Sequence, residues 1–88
     1  MAKANNGAIL ATIEGHCIYV EERPENFGEH FKAALKGFLD ITPKGAQLIG
    51  REIGVASESI NKWANGEATP HHDMAKAASE FMRNQIAR

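Results

Sequence analysis

The apolar residues between positions 29 and 39 recur at the spacing of one face of a helix. These positions are Phe31, Ala34, Leu35 and Phe38, which follow an i, i+3, i+4, i+7 pattern. Asn26 precedes Glu29 by three residues, an arrangement that resembles the capping box at a helix start. We therefore expect a first helix that begins after Asn26 and runs to about Leu39.

Three shorter helices are predicted further along the chain. The second begins between positions 43 and 46, after Thr42 as its N-cap, and runs to Ile53, where Gly54 ends it. The third spans residues 57–64 and ends at Asn65-Gly66. The fourth follows Thr69-Pro70 and frays near the C-terminus; its apolar face is formed by Met74, Ala77, Ala78, Phe81 and Met82.

The segment from Ala8 to Glu22 has a different composition, rich in β-branched and aromatic residues. It contains Ile9, Thr12, Ile13, Ile18, Tyr19 and Val20, and Glu14-Gly15 divides it in the middle. Such residues favour strands, so we expect two short strands joined by a tight turn. The predicted fold is therefore mostly α: residues 1–24 form a tail and a short β-hairpin, and residues 25–88 form a domain of four helices.

Length and composition limit the class of protein. A chain of 88 residues, 43% hydrophobic and 24% charged, suits one folded domain. The single cysteine, Cys17, excludes an intrachain disulfide and a four-cysteine zinc site, and it fits a reducing, cytoplasmic compartment. The longest apolar stretch near the start, from Ala8 to Ile13, is interrupted by Thr12 and is far shorter than the roughly 20 residues of a membrane-spanning helix, so we expect no membrane association. A basic leader followed by a long apolar core is also missing, so we expect no signal peptide.

The spacing of small and apolar residues between positions 49 and 66 has a geometric explanation. Two helices that cross closely need a small residue at the crossing, which Gly50 supplies, and a tight turn between them needs a positive φ, which Gly54 supplies. Apolar residues on the inner sides would hold the crossing together; they are Ile49, Ile53, Val55, Ile60 and Trp63. We expect these five residues to belong to the core rather than to a ligand site.

Read together with Pro70, this pattern resembles that of the Cro/C1-type (XRE-like) helix-turn-helix family of phage and bacterial repressors. The matching sequence is Ile49-Gly50-x-x-Ile53-Gly54-Val55-Ala56-x-x-x-Ile60-x-x-Trp63-x-x-Gly66, and the resemblance extends over about residues 29–82. Two positions depart from the family pattern. Ala56 stands where the family usually has a Ser or Thr N-cap, which allows the cap to shift to Ser57, and Gly50 replaces the usual Ala.

The resemblance implies a regulator that binds an operator in double-stranded DNA, with the helix at residues 57–64 in the major groove. The residues that match the base-reading positions of the family are Ser57, Glu58, Asn61 and Lys62. Those that match its phosphate-contacting positions are Lys44, Gln47, Asn65, Gly66 and Thr69. The chemistry is suitable, because Lys62 can donate to guanine, Asn61 can pair with adenine and Glu58 can accept from cytosine. The alternative is that these residues form an ordinary solvated helix face.

The charge distribution limits how such binding would work. The formal net charge is −1; residues 1–41 carry four Lys or Arg against six Asp or Glu, whereas residues 42–88 carry six against five. Because few phosphates can be neutralised by each chain, we expect modest non-specific affinity and a reliance on base contacts and dimerisation.

Two other clusters contain residue types that occur in metal and catalytic sites. His71-His72-Asp73 is predicted to be an exposed first helical turn rather than a metal site, because adjacent side chains diverge and no third ligand is nearby. His16-Cys17 lacks a third orienting group, so Cys17 is predicted to be a half-buried structural thiol. We expect a protein that is not an enzyme and that binds no metal or cofactor.

Three functions are consistent with these observations. The first is a repressor-like transcription regulator in a bacterial or phage-infected cell. The second is an antitoxin-type autorepressor whose N-terminal part also binds a protein toxin. The third is a degenerate helix-turn-helix that serves only for protein interaction, which the acidic balance favours. The predicted hairpin either pairs with a second copy to give a homodimer or folds back over the first and fourth helices.

Overall fold

Five helices follow one another in the structure, a computed structural model that describes residues 2–87 and the side chains of residues 7–87. They are α1 (Ala2–Glu22), α2 (Phe27–Ile41), α3 (Gly45–Ile53), α4 (Ser57–Asn65) and α5 (His72–Ile86). The four helices predicted after residue 25 are all present. The predicted β-hairpin is wrong, because residues 2–22 form one helix and the described residues contain no strand. The fold of residues 2–87 is therefore all-α, with no secondary structure other than helices and turns. Met1 of the predicted tail lies outside the described residues.

α1 is a helix because it buries one continuous face. Ile13, Cys17 and Val20 lie at i, i+4 and i+7 and are almost completely buried, and α1 packs against α2 and α5. Gly15, predicted to form the turn of the hairpin, lies on the exposed side, where an added Cβ would meet nothing within 4 Å. The prediction of strands from β-branched residues fails because burial of one face of α1 against α2 and α5 stabilises the helix. This stabilisation outweighs the small differences in intrinsic helix propensity.

Polar side chains join α1 to α5. Arg83 Nη2 donates to Glu21 Oε1 over 2.8 Å, and the Glu21 side chain is only 11% exposed. His72 Nε2 bonds to the carbonyl oxygen of Val20 at the C-terminal end of α1. The C-terminal end of α1 is therefore held against α5 by an ion pair and a hydrogen bond as well as by apolar packing.

Two histidines join α1 to α2. The Nδ1 atoms of His16 and His30 lie 2.9 Å apart, so one ring donates a hydrogen bond to the other. The His30 ring also stacks on the Tyr19 ring, with 3.8 Å between their centroids. Burial and, to a smaller extent, the nearby charge of His30 lower the pKa of His16 below its ordinary value.

Cys17 lies inside the core and is fully buried, rather than half-buried as predicted. Its thiol faces the Ser79 hydroxyl, which is itself buried and forms no regular hydrogen bond within the described part of the chain. Burial raises the pKa of the Cys17 thiol to about 12, so the thiol stays protonated and unreactive. Cys17 is thus a packing residue.

The starts of two helices differ from the predicted caps. Asn26 precedes α2, as expected, but its backbone is left-handed, with φ of 59°, and its side chain forms no capping hydrogen bond. α3 follows Lys44, which is also left-handed, with φ of 59°. The predicted N-cap, Thr42, lies further back, and its carbonyl oxygen accepts a bond from the Gly45 N–H over 3.0 Å. The chain therefore completes a turn before α3 begins.

The ends of α3 and α4 lie where glycine predicted them. Gly54 and Gly66 follow these helices with φ of 78° and 81°, the left-handed conformation that glycine adopts without steric cost. α5 begins at His72, two residues beyond the predicted Thr69-Pro70 start, and ends at Ile86. Among the described residues, no helix combines the length and the apolar character needed to cross a bilayer.

Candidate nucleic-acid interface

α3 and α4 are joined by a three-residue turn that passes very close to α3. The N–H groups of Gly54 and Val55 both donate to the carbonyl oxygen of Gly50, over 2.8 and 2.9 Å. A Cβ added to Gly50 would overlap the carbonyl oxygen of Val55. The small residue at position 50 is therefore required by the path of the turn.

The inner sides of α3 and α4 are apolar and packed into the core. Ile49 and Ile60 are fully buried, and Trp63 is 8% exposed. The Trp63 ring lies beside the Phe31 ring of α2, with 5.9 Å between the centroids. Ile53 and Val55 are half-buried and pack against the same core. The orientation of α4 relative to the rest of the molecule is thus determined by buried contacts on one side only.

The opposite side of α4 faces solvent. Glu58, Asn61 and Lys62 are exposed, and Ser57 is half-buried. None of these four side chains forms a hydrogen bond or ion pair with another described residue. Their donors and acceptors are therefore free to bind an external group.

The N-terminus of α4 is capped by the backbone alone. Ala56 occupies the N-cap position with φ of −70° and ψ of 147°, so the cap does not shift to Ser57. The Ala56 carbonyl oxygen accepts from the N–H groups of Ser59 and Ile60, over 3.0 and 3.4 Å. The first N–H groups of α4, at Ser57 and Glu58, have no partner within the helix, as is general for helix N-termini.

The predicted phosphate-contacting residues lie on both sides of α4 in sequence, and all are exposed. Lys44 and Gln47 lie at the N-terminal end of α3. Asn65 is the last residue of α4, and Gly66 and Thr69 lie in the loop between α4 and α5. Asn65 Nδ2 donates to Glu67 Oε2 over 3.5 Å, so the Asn65 amide is partly engaged by a neighbouring carboxylate.

The loop between α4 and α5 rests on the N-terminal part of α2. A Cβ added to Gly28 would lie 3.5 Å from Thr69 Cγ2, and one added to Gly66 would lie 3.4 Å from both Cδ and Nζ of Lys32. The Lys32 ammonium group therefore lies beside the exposed loop. Sequence reasoning missed Lys32, because position 32 is outside the motif and only the packing of α2 against the loop reveals its location.

The remaining chemical clusters have structural explanations. His72 is bonded to the Val20 carbonyl, and Cys17 is buried. Within residues 7–87, no group of three or more His, Cys, Asp or Glu side chains is arranged to hold a metal ion. The polar groups on the exposed side of α4 and in its neighbouring loop have no such structural explanation.

Comparison with known proteins assigns nothing further to this region. The chain matches no protein-family model, no curated protein and no solved structure. A function for α3, the turn and α4 must therefore be argued from their own geometry and chemistry.

Proposed function

We propose that this protein is a repressor-like, sequence-specific regulator of transcription that binds an operator in double-stranded DNA. In this proposal α4 lies in the major groove, and Ser57, Glu58, Asn61 and Lys62 face the edges of the bases. The protein acts as a homodimer in the cytoplasm of a bacterial or phage-infected cell. It needs no catalytic residue and no cofactor.

One observation supports the proposal most directly. α4 is held by buried residues on one side, while an unpaired donor or acceptor is exposed at three positions on the other side, Glu58, Asn61 and Lys62. The tight turn at Gly50 and Val55 brings α3 against α4. A rigidly supported helix with free polar side chains is what base recognition in the major groove requires.

The phosphate contacts would come from both sides of this helix. On one side these are Lys44, just before α3, and Gln47 in its first turn. On the other side they are Asn65 at the end of α4 and Gly66 and Thr69 of the following loop. Together they would set the register of the protein on the duplex. We add Lys32, because its ammonium group lies beside Gly66. Dimerisation through paired N-terminal strands is not part of the proposal, since residues 2–22 are helical.

Selection of bound sequences from a random duplex pool at about 0.1 M salt tests the proposal. We expect a defined site to be enriched, and we expect Asn61→Ala and Lys62→Ala each to weaken binding to that site by about 1–3 kcal/mol. Lys76→Ala is the matched control, because it removes an equally exposed ammonium group from α5. Unchanged affinity of the α4 variants, with thermal stability preserved, would contradict the proposal.

A helix-turn-helix used only for protein interaction is the second candidate function. The excess of acidic residues in positions 1–41 favours it, because it weakens attraction to any duplex. The same selection separates the two candidates. Failure to enrich any sequence, together with no salt-sensitive binding to duplex DNA, would favour the interaction module.

A further inference from the structure

A wide groove lies between the C-terminal end of α3 and the outer side of α5, with a volume of about 760 Å³. Trp63 of α4 lies at its base. Three half-buried apolar side chains line the groove beside it, Ile53, Met74 and Phe81. The floor of the groove is therefore apolar, and part of its surface is exposed to solvent.

Exposed carboxylates surround this floor. Glu52 of α3 and Asp73 and Glu80 of α5 all line the groove and are exposed. None of them forms an ion pair or side-chain hydrogen bond with another described residue. Among residues 7–87, whose side chains the structure describes, no Lys or Arg lines the groove. An apolar floor with an acidic rim is thus the chemical character of this surface.

Local helix stability does not account for all three carboxylates. Asp73 lies in the first turn of α5, where negative charge is favoured by the helix dipole. Glu52, by contrast, lies at the C-terminal end of α3, where the dipole disfavours negative charge. Glu80 lies within α5 and is not at either end. Arg51 in the same turn offsets the dipole, so Glu52 has no stabilising role within α3 and its exposed carboxylate can pair with an external cation.

The groove is separate from the proposed DNA-binding residues. Its lining includes none of the side chains of α3, α4 and the α4–α5 loop that are proposed to contact bases or phosphates, nor Lys32. Its acidic rim would repel phosphate, so DNA is not its ligand. A symmetric dimer through this groove is also disfavoured, because the same three carboxylates would face each other from both copies.

We infer that this groove binds an amphipathic helix of a partner protein, with apolar residues on one face and Lys or Arg beside them. Apolar side chains at i, i+3 or i+4, and i+7 would enter between Phe81, Met74 and Trp63. The basic side chains would pair with Glu52, Asp73 and Glu80. The inference does not depend on DNA binding, because the two surfaces share no functional side chain.

Selection from a displayed library of random 16-residue peptides tests this inference with the full-length chain. We expect the enriched peptides to be basic and to carry apolar residues at helical spacing. Trp63 is the single tryptophan of the chain and lies at the base of the groove, so titration with a synthetic enriched peptide should change its fluorescence. A sequence-scrambled peptide of the same composition serves as the control for non-specific charge attraction.

Two variants block the groove in different ways. Ala77→Arg places a large cation on the exposed floor, and Glu80→Lys reverses one rim charge. Each should raise the Kd of the enriched peptide about tenfold or more, since like charges and lost pairs are costly at an interface. Glu14→Lys makes the same charge change on the exposed side of α1, outside the groove, and should leave the Kd within about twofold.

Several results would overturn the inference. One is the absence of any enriched peptide, and another is enrichment of acidic peptides. If Glu14→Lys and Glu80→Lys weaken peptide binding equally, the peptide responds to the overall charge of the protein and not to the groove. Sedimentation could also show a homodimer that Ala77→Arg dissociates. The occupant of the groove would then be a second copy of this chain. Far-UV circular dichroism of each variant checks that the helices are retained.

Discussion

Of the two glycines in α3, Gly50 has less room for an added Cβ than Gly45. The carbonyl oxygen of Val55 occupies the space that a Cβ would need, and the Ser57 backbone nitrogen would lie 3.6 Å from that Cβ. The family resemblance treats Gly50 as a replacement for the usual Ala, whereas the structure leaves no space for Ala at this position. The difference arises because the sequence pattern specifies a small residue but not the distance between the turn and the helix.

We predict that Gly50→Ala lowers the free energy of unfolding by about 1–3 kcal/mol, because the turn must move to avoid the new methyl group. Gly15→Ala is the matched control, since Gly15 is exposed in α1 with free space around it. This second variant should raise the free energy of unfolding by up to about 1 kcal/mol through helix propensity. Urea denaturation of both variants measures the effects; stabilisation by both would contradict the close approach of the turn.

At the scale of elements, the accuracy of the sequence prediction depends on whether a local rule decides the outcome. Gly54 and Gly66 end α3 and α4 as predicted, because a positive φ is a local property of glycine. Thr42 does not cap α3, because its carbonyl rather than its hydroxyl receives the Gly45 N–H. Whether the hydroxyl or the carbonyl oxygen of Thr42 accepts this bond depends on the path of the connection between α2 and α3. Three or four residues of sequence do not specify that path.

α1 is the clearest failure of the sequence prediction. Its β-branched residues favoured strands, yet the i, i+4, i+7 positions of Ile13, Cys17 and Val20 form the buried face. The helical period is present in the sequence, but the Glu14-Gly15 dipeptide also fits a turn and competes with it. Contact with both α2 and α5 stabilises the helix instead, and such contacts involve residues distant in sequence.

Gly15→Pro tests whether α1 is continuous. Proline within α1 removes a backbone hydrogen bond and clashes with the preceding turn, so we predict a loss of about 3 kcal/mol or more in the free energy of unfolding. The sign of the Gly15→Ala effect separates the helix from a hairpin, because a tight hairpin turn would need a positive φ at Gly15, which alanine disfavours. Thermal denaturation followed by far-UV circular dichroism measures the change. A melting temperature close to that of the unmodified protein would contradict a continuous α1.

At the scale of the whole molecule, two surfaces of different chemical character surround one small core. The exposed side of α4 carries free polar groups, and Lys32 adds a positive charge beside the neighbouring loop. The groove between α3 and α5 is apolar with an acidic rim. The formal net charge of −1 averages these surfaces and therefore describes neither of them.

Stability should fall on mild acidification because of the contact between α1 and α2. Burial, and then the charge of His30, lower the pKa of His16, so the folded protein binds fewer protons than the unfolded chain just below the ordinary histidine pKa of 6.5. The stabilisation is present above pH 6.5 and is lost as the pH falls from there towards the lowered pKa. Urea denaturation at about pH 7.5 and about pH 5.5 measures this difference.

His16→Gln is the informative variant for this pH effect. It removes the titrating ring, so its loss of stability between the two pH values should be smaller than that of the unmodified protein. His71→Gln is the control, because it makes the same substitution at an exposed histidine outside the contact between α1 and α2. An equal loss of stability in the unmodified protein and in His16→Gln would contradict the role assigned to the histidine pair.

Local sequence is sufficient to predict the four helices between residues 27 and 86, the glycine ends of α3 and α4, and the small residue at position 50. These follow from hydrophobic periodicity, from the conformational range of glycine and from the spacing around a tight turn. Long-range contacts establish that α1 is a helix, that Lys32 lies beside the α4–α5 loop, and that an acid-rimmed groove forms between α3 and α5. These features depend on contacts between residues far apart in the chain, which a local pattern does not specify.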